Sequence, residues 1–179
     1  SKKEKRDEKF LQKLIFENPR LLPIEEIRPE FLELCPLCRE LETGVGPIDA
    51  VFVNERGMLT LVECKLWKNP EARRKVVGQI LDYAQAMSRW TFKDFDNEVF
   101  KSGKSGKTTI ERVKDYFSID DFDEVSFIDS ISRNLRNGNF LLLIVGDGIK
   151  EGIEEIGDFL KNKASLSFSL AFVEQVFYK

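Results

Sequence analysis

Short apolar runs alternate with stretches of helical periodicity along this chain, and that order predicts a mixed α/β domain. Apolar residues recur at helical spacing between Lys5 and Glu17, and the pair Asn18-Pro19 ends that helix. A proline-punctuated connection with short helical turns follows at 21–34. Three strand-like segments come next, at 37–43, 48–53 and 58–65, and the turn NERG joins the last two into a hairpin.

The second half of the chain continues the alternation with one interruption. The pattern predicts a long helix at Pro70–Trp90, a polar insertion of short helices at 91–137 and a buried strand FLLLIV at 140–145. An amphipathic helix at Lys150–Lys163 and a β-rich segment at Ser167–Phe177 complete the chain. We therefore expect one domain over 1–179, built on a mixed β-sheet flanked by helices. The chain does not begin with Met, so a longer parent protein stays an alternative.

Composition narrows the chemistry that this domain can perform. Charged residues make up 33% of the 179, the net charge is −3, and histidine is absent. Acid–base or metal chemistry must therefore use carboxylates, lysines, tyrosines or thiols. The three cysteines are too few for a four-ligand zinc site, and an odd count without a signal peptide indicates a cytoplasmic protein. No apolar run is long enough to predict a membrane span.

The predicted hairpin PIDAVFVNERGMLTLVECK carries three charges at the ends of apolar strands. Side chains alternate between the faces of a strand, so Glu63 and Lys65 share one face and Asp49 can lie beside Glu63 on the neighbouring strand. Two carboxylates this close repel each other unless a proton or a cation lies between them. A hard divalent cation suits oxygen ligands, and the backbone carbonyl of Cys64 offers another oxygen. Together with a lysine, this set predicts metal-assisted phosphodiester hydrolysis, whereas a simple salt bridge is the alternative.

These residues resemble a known enzyme superfamily. The segments G-P-I-D and V-E-C-K are similar to the core of the PD-(D/E)xK nuclease superfamily, and Gln79-x-x-x-Tyr83 on the next helix resembles the Q-x-x-x-Y of its RecB-like members. The helix–ENP–strand opening is similar to the nuclease domain of NucS-type DNA endonucleases. The resemblance implies a restriction-endonuclease-like fold over roughly 10–87 and the strand–helix–strand after Asn139. It does not explain the insertion at 91–137.

The resemblance also implies a role for each matching residue. Asp49 and Glu63 would be metal ligands, together with the Cys64 carbonyl, and Lys65 would be the catalytic lysine. Gln79 and Tyr83 would support the site and the DNA backbone. The first acidic position of the superfamily usually lies on the opening helix, where Glu17 is the preferred match. Glu40 and Glu42, on one face of a predicted strand, stay open as alternatives for that metal ligand.

The expected function is that of a Mg²⁺- or Mn²⁺-dependent DNA endonuclease in repair or defence. The alternatives are a catalytically silent nucleic-acid-binding or scaffolding domain on the same fold, and an RNA-directed module of a larger assembly. DNA is the expected partner, and the cluster Lys68, Arg73, Arg74 and Lys75 offers it a local basic face. A homodimer is left open.

One motif in the insertion resembles a nucleotide site without fitting it. In KSGKSGKTT, a phosphate-binding loop aligned on Gly106 requires glycine at position 101, which is Lys101, and requires a preceding strand. We therefore expect no nucleotide cofactor, but a flexible basic loop that can still contact a phosphate backbone.

Overall fold

The structure of the protein is a computed structural model. It describes residues 2–66, 70–147 and 167–175, and gives side chains from residue 8 onward and, after the first gap, from residue 74. The helices are α1 (Lys2–Glu17), α2 (Ile24–Ile27), α3 (Pro70–Met87), α4 (Phe92–Ser102), α5 (Thr109–Phe117) and α6 (Glu124–Asn137). The strands are β1 (Cys35–Glu42), β2 (Pro47–Val53), β3 (Leu59–Leu66), β4 (Phe140–Asp147) and β5 (Ser169–Glu174).

The strands form one mixed sheet in the order β1-β2-β3-β4-β5. The first three strands pair antiparallel, whereas β4 is parallel to β3 and β5 is parallel to β4. The prediction of a mixed sheet flanked by helices is confirmed. The apolar run at 140–145 lies between two parallel neighbours, which explains why it is apolar on both faces.

Each face of the sheet has its own apolar core. On one face Leu11 and Ile15 of α1 pack with Ala50, Phe52 and other residues of the sheet. A larger core on the other face brings the sheet together with apolar residues of α3, α4, α5 and α6. The insertion predicted at 91–137 is therefore three helices that belong to this second layer.

The ends of these elements follow from local sequence. Thr91 and Thr108 each cap a helix through a reciprocal pair of hydrogen bonds with the acidic residue three positions later. Gly57 has a φ of +77° in the turn between β2 and β3, which is the conformation expected for the NERG hairpin. The buried Asn54 organises the same turn, because its side-chain oxygen accepts the backbone N–H groups of Arg56 and Met58.

Some boundaries and segments differ from the expectation. The third helix ends at Met87 rather than at residue 90, and β1 begins at Cys35, ahead of the predicted start. The predicted helix at 150–163 and the last residues of the final β-rich segment lie outside the described residues. Among the residues that the structure describes, no helix is both long and apolar enough to cross a bilayer.

Candidate active site

The β2–β3 hairpin places Asp49 and Glu63 side by side. The antiparallel register of β2 and β3 ends at the pair Ala50 and Val62, and Asp49 and Glu63 are the next residues beyond that pair on their two strands. A hydrogen bond holds the Asp49 side chain against β3, because the backbone N–H of Cys64 donates to Asp49 Oδ2 at 2.7 Å. The sequence pattern predicted this juxtaposition, and it requires only the hairpin register.

The Glu63 side chain is buried, and its two carboxylate oxygens have different surroundings. Its residue is 6% exposed, and its Oε1 accepts a hydrogen bond from Gln79 Nε2 at 3.0 Å. Its Oε2 is buried and has no hydrogen-bond partner in the described part of the chain. A buried carboxylate oxygen without a donor is costly, so this atom is suited to a proton or a cation.

Both carboxyl groups bind protons more tightly than they would in water. Burial raises the pKa of Glu63 to about 9, and the neighbouring charge of Asp49 adds to the shift. Burial also raises the pKa of Asp49 to about 6, with further upward contributions from Glu40 and Glu8, while the Cys64 N–H opposes the shift. A proton or a cation between the two groups would therefore remove the cost of burying both charges.

This donor set fits a hard divalent cation better than a soft one. The available atoms are carboxylate oxygens, and the nearby Cys64 side chain is turned into the apolar core beside α1. Within the described ranges, no group of three or more Asp, Glu or Cys side chains is arranged to hold a metal ion. Mg²⁺ commonly takes only one or two carboxylates from a protein and fills its shell with water and substrate phosphates. The metal role predicted for the Cys64 carbonyl stays a prediction.

Helix α3 supports Glu63 through the pair Gln79 and Tyr83. The two side chains lie one helical turn apart, and Gln79 Nε2 donates both to Glu63 Oε1 and to the Tyr83 hydroxyl. Gly46 makes room for this arrangement, since a Cβ at that position would lie 3.0 Å from the Tyr83 hydroxyl oxygen. The backbone of Gly46 also has a φ of +137°, which side-chain-bearing residues rarely adopt.

Helix α1 supplies the ion-pair partner of Lys65. Lys65 Nζ lies 2.8 Å from Glu8 Oε1, and the backbone N–H of Leu66 donates to the same oxygen at 3.3 Å. The Lys65 side chain is 35% exposed, so the ammonium group is accessible at the end of β3. Glu8 thus pairs with Lys65 and also raises the pKa of Asp49.

One helical turn further along α1, Gln12 joins the carboxylates of two strands. Its Nε2 donates to Asp49 Oδ1 at 3.0 Å and to Glu40 Oε1 at 2.7 Å, and the residue is only 3% exposed. Of the three acids weighed for the additional ligand, Glu40 is therefore held close to Asp49. Glu42 is exposed, and its charge acts on the Tyr83 hydroxyl.

The structure does not bring Glu17 into this cluster. Its side chain is 58% exposed and forms an ion pair with Lys13 at 3.7 Å, so it lies on the surface. The reason is the length of α1, because Glu17 lies nine residues beyond Glu8, about 13 Å along the helix axis. The end of α1 nearer Glu8, rather than its last turn, approaches the carboxylate pair.

Glu8 and Gln12 are the residues that reading the sequence missed. Glu8 lies three residues before Leu11 and Gln12 three residues before Ile15, so both lie next to the apolar stripe of α1 that packs on the sheet. A glutamine within an apolar stripe was the signal that could have identified them, since a buried amide requires polar partners. Of the basic cluster after β3, Arg74 and Lys75 are exposed, whereas Lys68 and the Arg73 side chain lie outside the described residues.

Comparison with known proteins gives no family for this chain. It is similar to the protein "ABC transporter G family member 42" of Arabidopsis thaliana, with 35% identity over 101 residues. The match covers 52% of this chain, which spans only 7% of the length of that protein. No family model matches the chain. No solved structure matches it.

We predict that the metal-free protein becomes less stable as the pH rises through neutrality. Because the folded-state pKa values of Asp49 and Glu63 are raised, their stabilising contribution is complete below about pH 4 and is lost through about pH 6 and pH 9. Each group contributes a slope of at most about 1.4 kcal/mol per pH unit. Histidine is absent, so no imidazole titrates in this range.

Melting temperatures measured in EDTA between pH 5 and pH 9 test this expectation. The Glu63→Gln variant should lose most of the decline above pH 7, whereas Glu17→Gln, which removes an exposed carboxylate, should retain it. A wild-type melting temperature that is constant over this range would contradict the raised pKa values.

Proposed function

We propose that this protein is a metal-dependent DNA endonuclease with a restriction-endonuclease-like fold, as the PD-(D/E)xK resemblance implies. The observation that carries the proposal is the buried pair Asp49 and Glu63, with a lysine at the end of the same strand as Glu63. One oxygen of Glu63 has no hydrogen-bond partner among the residues that the structure describes. A salt bridge alone would not place two carboxylates together and leave the lysine paired with a third acid.

The chain's own residues have separable roles in this proposal. Asp49 and Glu63 bind Mg²⁺ or Mn²⁺, and Gln79 fixes the orientation of Glu63 by donating to its Oε1. A bound divalent cation would polarise the scissile phosphate and lower the pKa of a water molecule. Lys65 stabilises the negative charge that develops on the phosphate, and Glu8 holds the ammonium group at the strand end.

We predict that Lys65→Ala loses cleavage but keeps DNA binding. A cation that acts on developing charge stabilises the transition state more than the bound substrate, so the rate should fall about 100-fold or more. Nicking of supercoiled and branched DNA with Mg²⁺ measures the rate, and anisotropy with Ca²⁺ measures binding. Lys93→Ala, an exposed lysine on α4, is the matched control and should cleave at the wild-type rate.

Two results would contradict the proposed nuclease activity. Cleavage by Lys65→Ala at the wild-type rate would assign the activity to a contaminant. Absence of Mg²⁺- or Mn²⁺-dependent cleavage on every DNA form, with binding intact, would favour the alternative of a silent nucleic-acid-binding domain.

We further predict that the acidic position of the opening helix is Glu8 rather than Glu17. Glu8 contacts Lys65 and raises the pKa of Asp49, whereas Glu17 pairs with Lys13 on the surface. Glu8→Gln should lower the cleavage rate about 10- to 100-fold, as loss of a supporting carboxylate commonly does in metal sites. Glu17→Gln, on the same helix, should stay within about two-fold of wild type. The reverse ranking of these two variants would restore Glu17 as the functional acid.

A further inference from the structure

A groove runs along the protein surface beside the carboxylate pair. It is bounded by α1, β1 and the turn that follows α4, and its volume is about 640 Å³. We call it the basic groove, because the cations Lys9, Arg39, Lys101 and Lys104 line it. The turn belongs to the insertion that the nuclease resemblance leaves unexplained.

The positive charge in the basic groove is largely uncompensated. Among the described residues, no acidic side chain forms an ion pair with Lys9, Arg39 or Lys104, whereas Lys101 pairs with Glu98 at 2.6 Å. The whole chain carries a net charge of −3, so this is a local concentration of cations on an acidic protein. Like charges held along one groove attract a polyanion.

The guanidinium group of the half-buried Arg112 lies next to a glycine of the groove lining. Arg112 of α5 has one guanidinium nitrogen, Nη2, that is buried and has no hydrogen-bond partner in the described part of the chain. This nitrogen lies directly beside Gly103, which lines the groove, since a Cβ at Gly103 would lie 2.0 Å from it. The Arg112 guanidinium therefore adds a positive charge next to the lining of the groove.

The basic groove leads to the candidate active site. Gln12 lines it and donates one hydrogen bond to Asp49 and another to Glu40, which lines the groove as well. Asp49 therefore lies beside the groove, and residues 101–104, at the end of α4 and in the turn after it, line the groove as well. A strand that follows this path would bring a phosphate to the carboxylate pair.

The lining also offers a surface on which a base can stack. The half-buried Phe16 lines the groove, and the Arg39 guanidinium carbon lies 6.0 Å from the centroid of its ring. Aromatic rings and guanidinium planes alternating with cations are typical of grooves that bind single strands, whose unstacked bases are accessible.

We propose that the basic groove binds a single strand of DNA and directs its phosphate backbone toward Asp49 and Glu63. The identity of the strand as DNA rests on the proposed function. The binding of a polyanion rests on Lys9, Arg39 and Lys104, which form no ion pair with the described residues. The helical insertion then has a role, because its turn supplies Lys101 and Lys104 to the substrate path.

The proposal is tested by anisotropy of fluorescein-labelled single-stranded DNA in EDTA, where no cleavage can occur. The double variant Lys101→Ala/Lys104→Ala should bind about ten-fold more weakly at moderate salt. The slope of log K against log salt should decrease in magnitude by about 1.4, since each phosphate contact on a single strand contributes about 0.7. The control Arg133→Ala/Arg136→Ala removes two charges of α6, away from the groove, and should bind within about two-fold of wild type.

These outcomes test DNA binding by the basic groove separately from the proposed nuclease activity. The claim that the groove binds DNA would be contradicted if both double variants bound equally weakly, or if Lys101→Ala/Lys104→Ala bound like wild type. Either result would count against the groove whatever the cleavage assay shows. Weaker binding by Lys101→Ala/Lys104→Ala alone would support DNA binding by the groove even if no DNA is cleaved, because the anisotropy measurement needs no metal. Unlabelled duplex DNA should compete less well than the unlabelled single strand, and equal or better competition would overturn the single-strand assignment.

Discussion

The mutual repulsion of two buried carboxylates is the constraint around which this structure is built. Asp49 and Glu63 are placed opposite each other by the register of a hairpin that apolar residues fix on both faces of the sheet. The register cannot shift to separate them, because a slip of one residue would turn every apolar side chain of the strand to the wrong face. The charge must therefore be compensated from outside the hairpin.

Both helical layers contribute to that compensation. Gln12 of α1 donates to Asp49 from one layer, and Gln79 of α3 donates to Glu63 from the other. These two amides donate to three carboxylates, because Gln12 also donates to Glu40. Within the described part of the chain, one oxygen of Glu63 still has no donor. An apolar pair at these positions would need none of these partners, so the arrangement is costly for stability alone. The proposed binding of a divalent cation would use this charge and give the arrangement a function.

The parts of the site that follow from local rules were predictable from the sequence. Strand alternation and a short turn are enough to place Asp49 beside Glu63, and helical spacing is enough to place Gln79 next to Tyr83. Glu17, the preferred match on the opening helix, lies on the surface for a tertiary reason, because periodicity gives the buried face of α1 but not which end of the helix approaches the site. The groove was beyond prediction as well, since it forms only where the turn after α4 meets α1 and β1, far apart in the chain.

Calorimetric titration of Mn²⁺ into the metal-free protein tests the central claim most directly. Wild-type protein and Asp82→Asn, which removes an exposed carboxylate of α3, should bind about one ion with the same weak affinity. Asp49→Asn and Glu63→Gln should each lose that binding while melting cooperatively. Heats from Asp49→Asn that equal those of wild type would show that the carboxylate pair does not bind the cation, and would contradict a metal-dependent role for it.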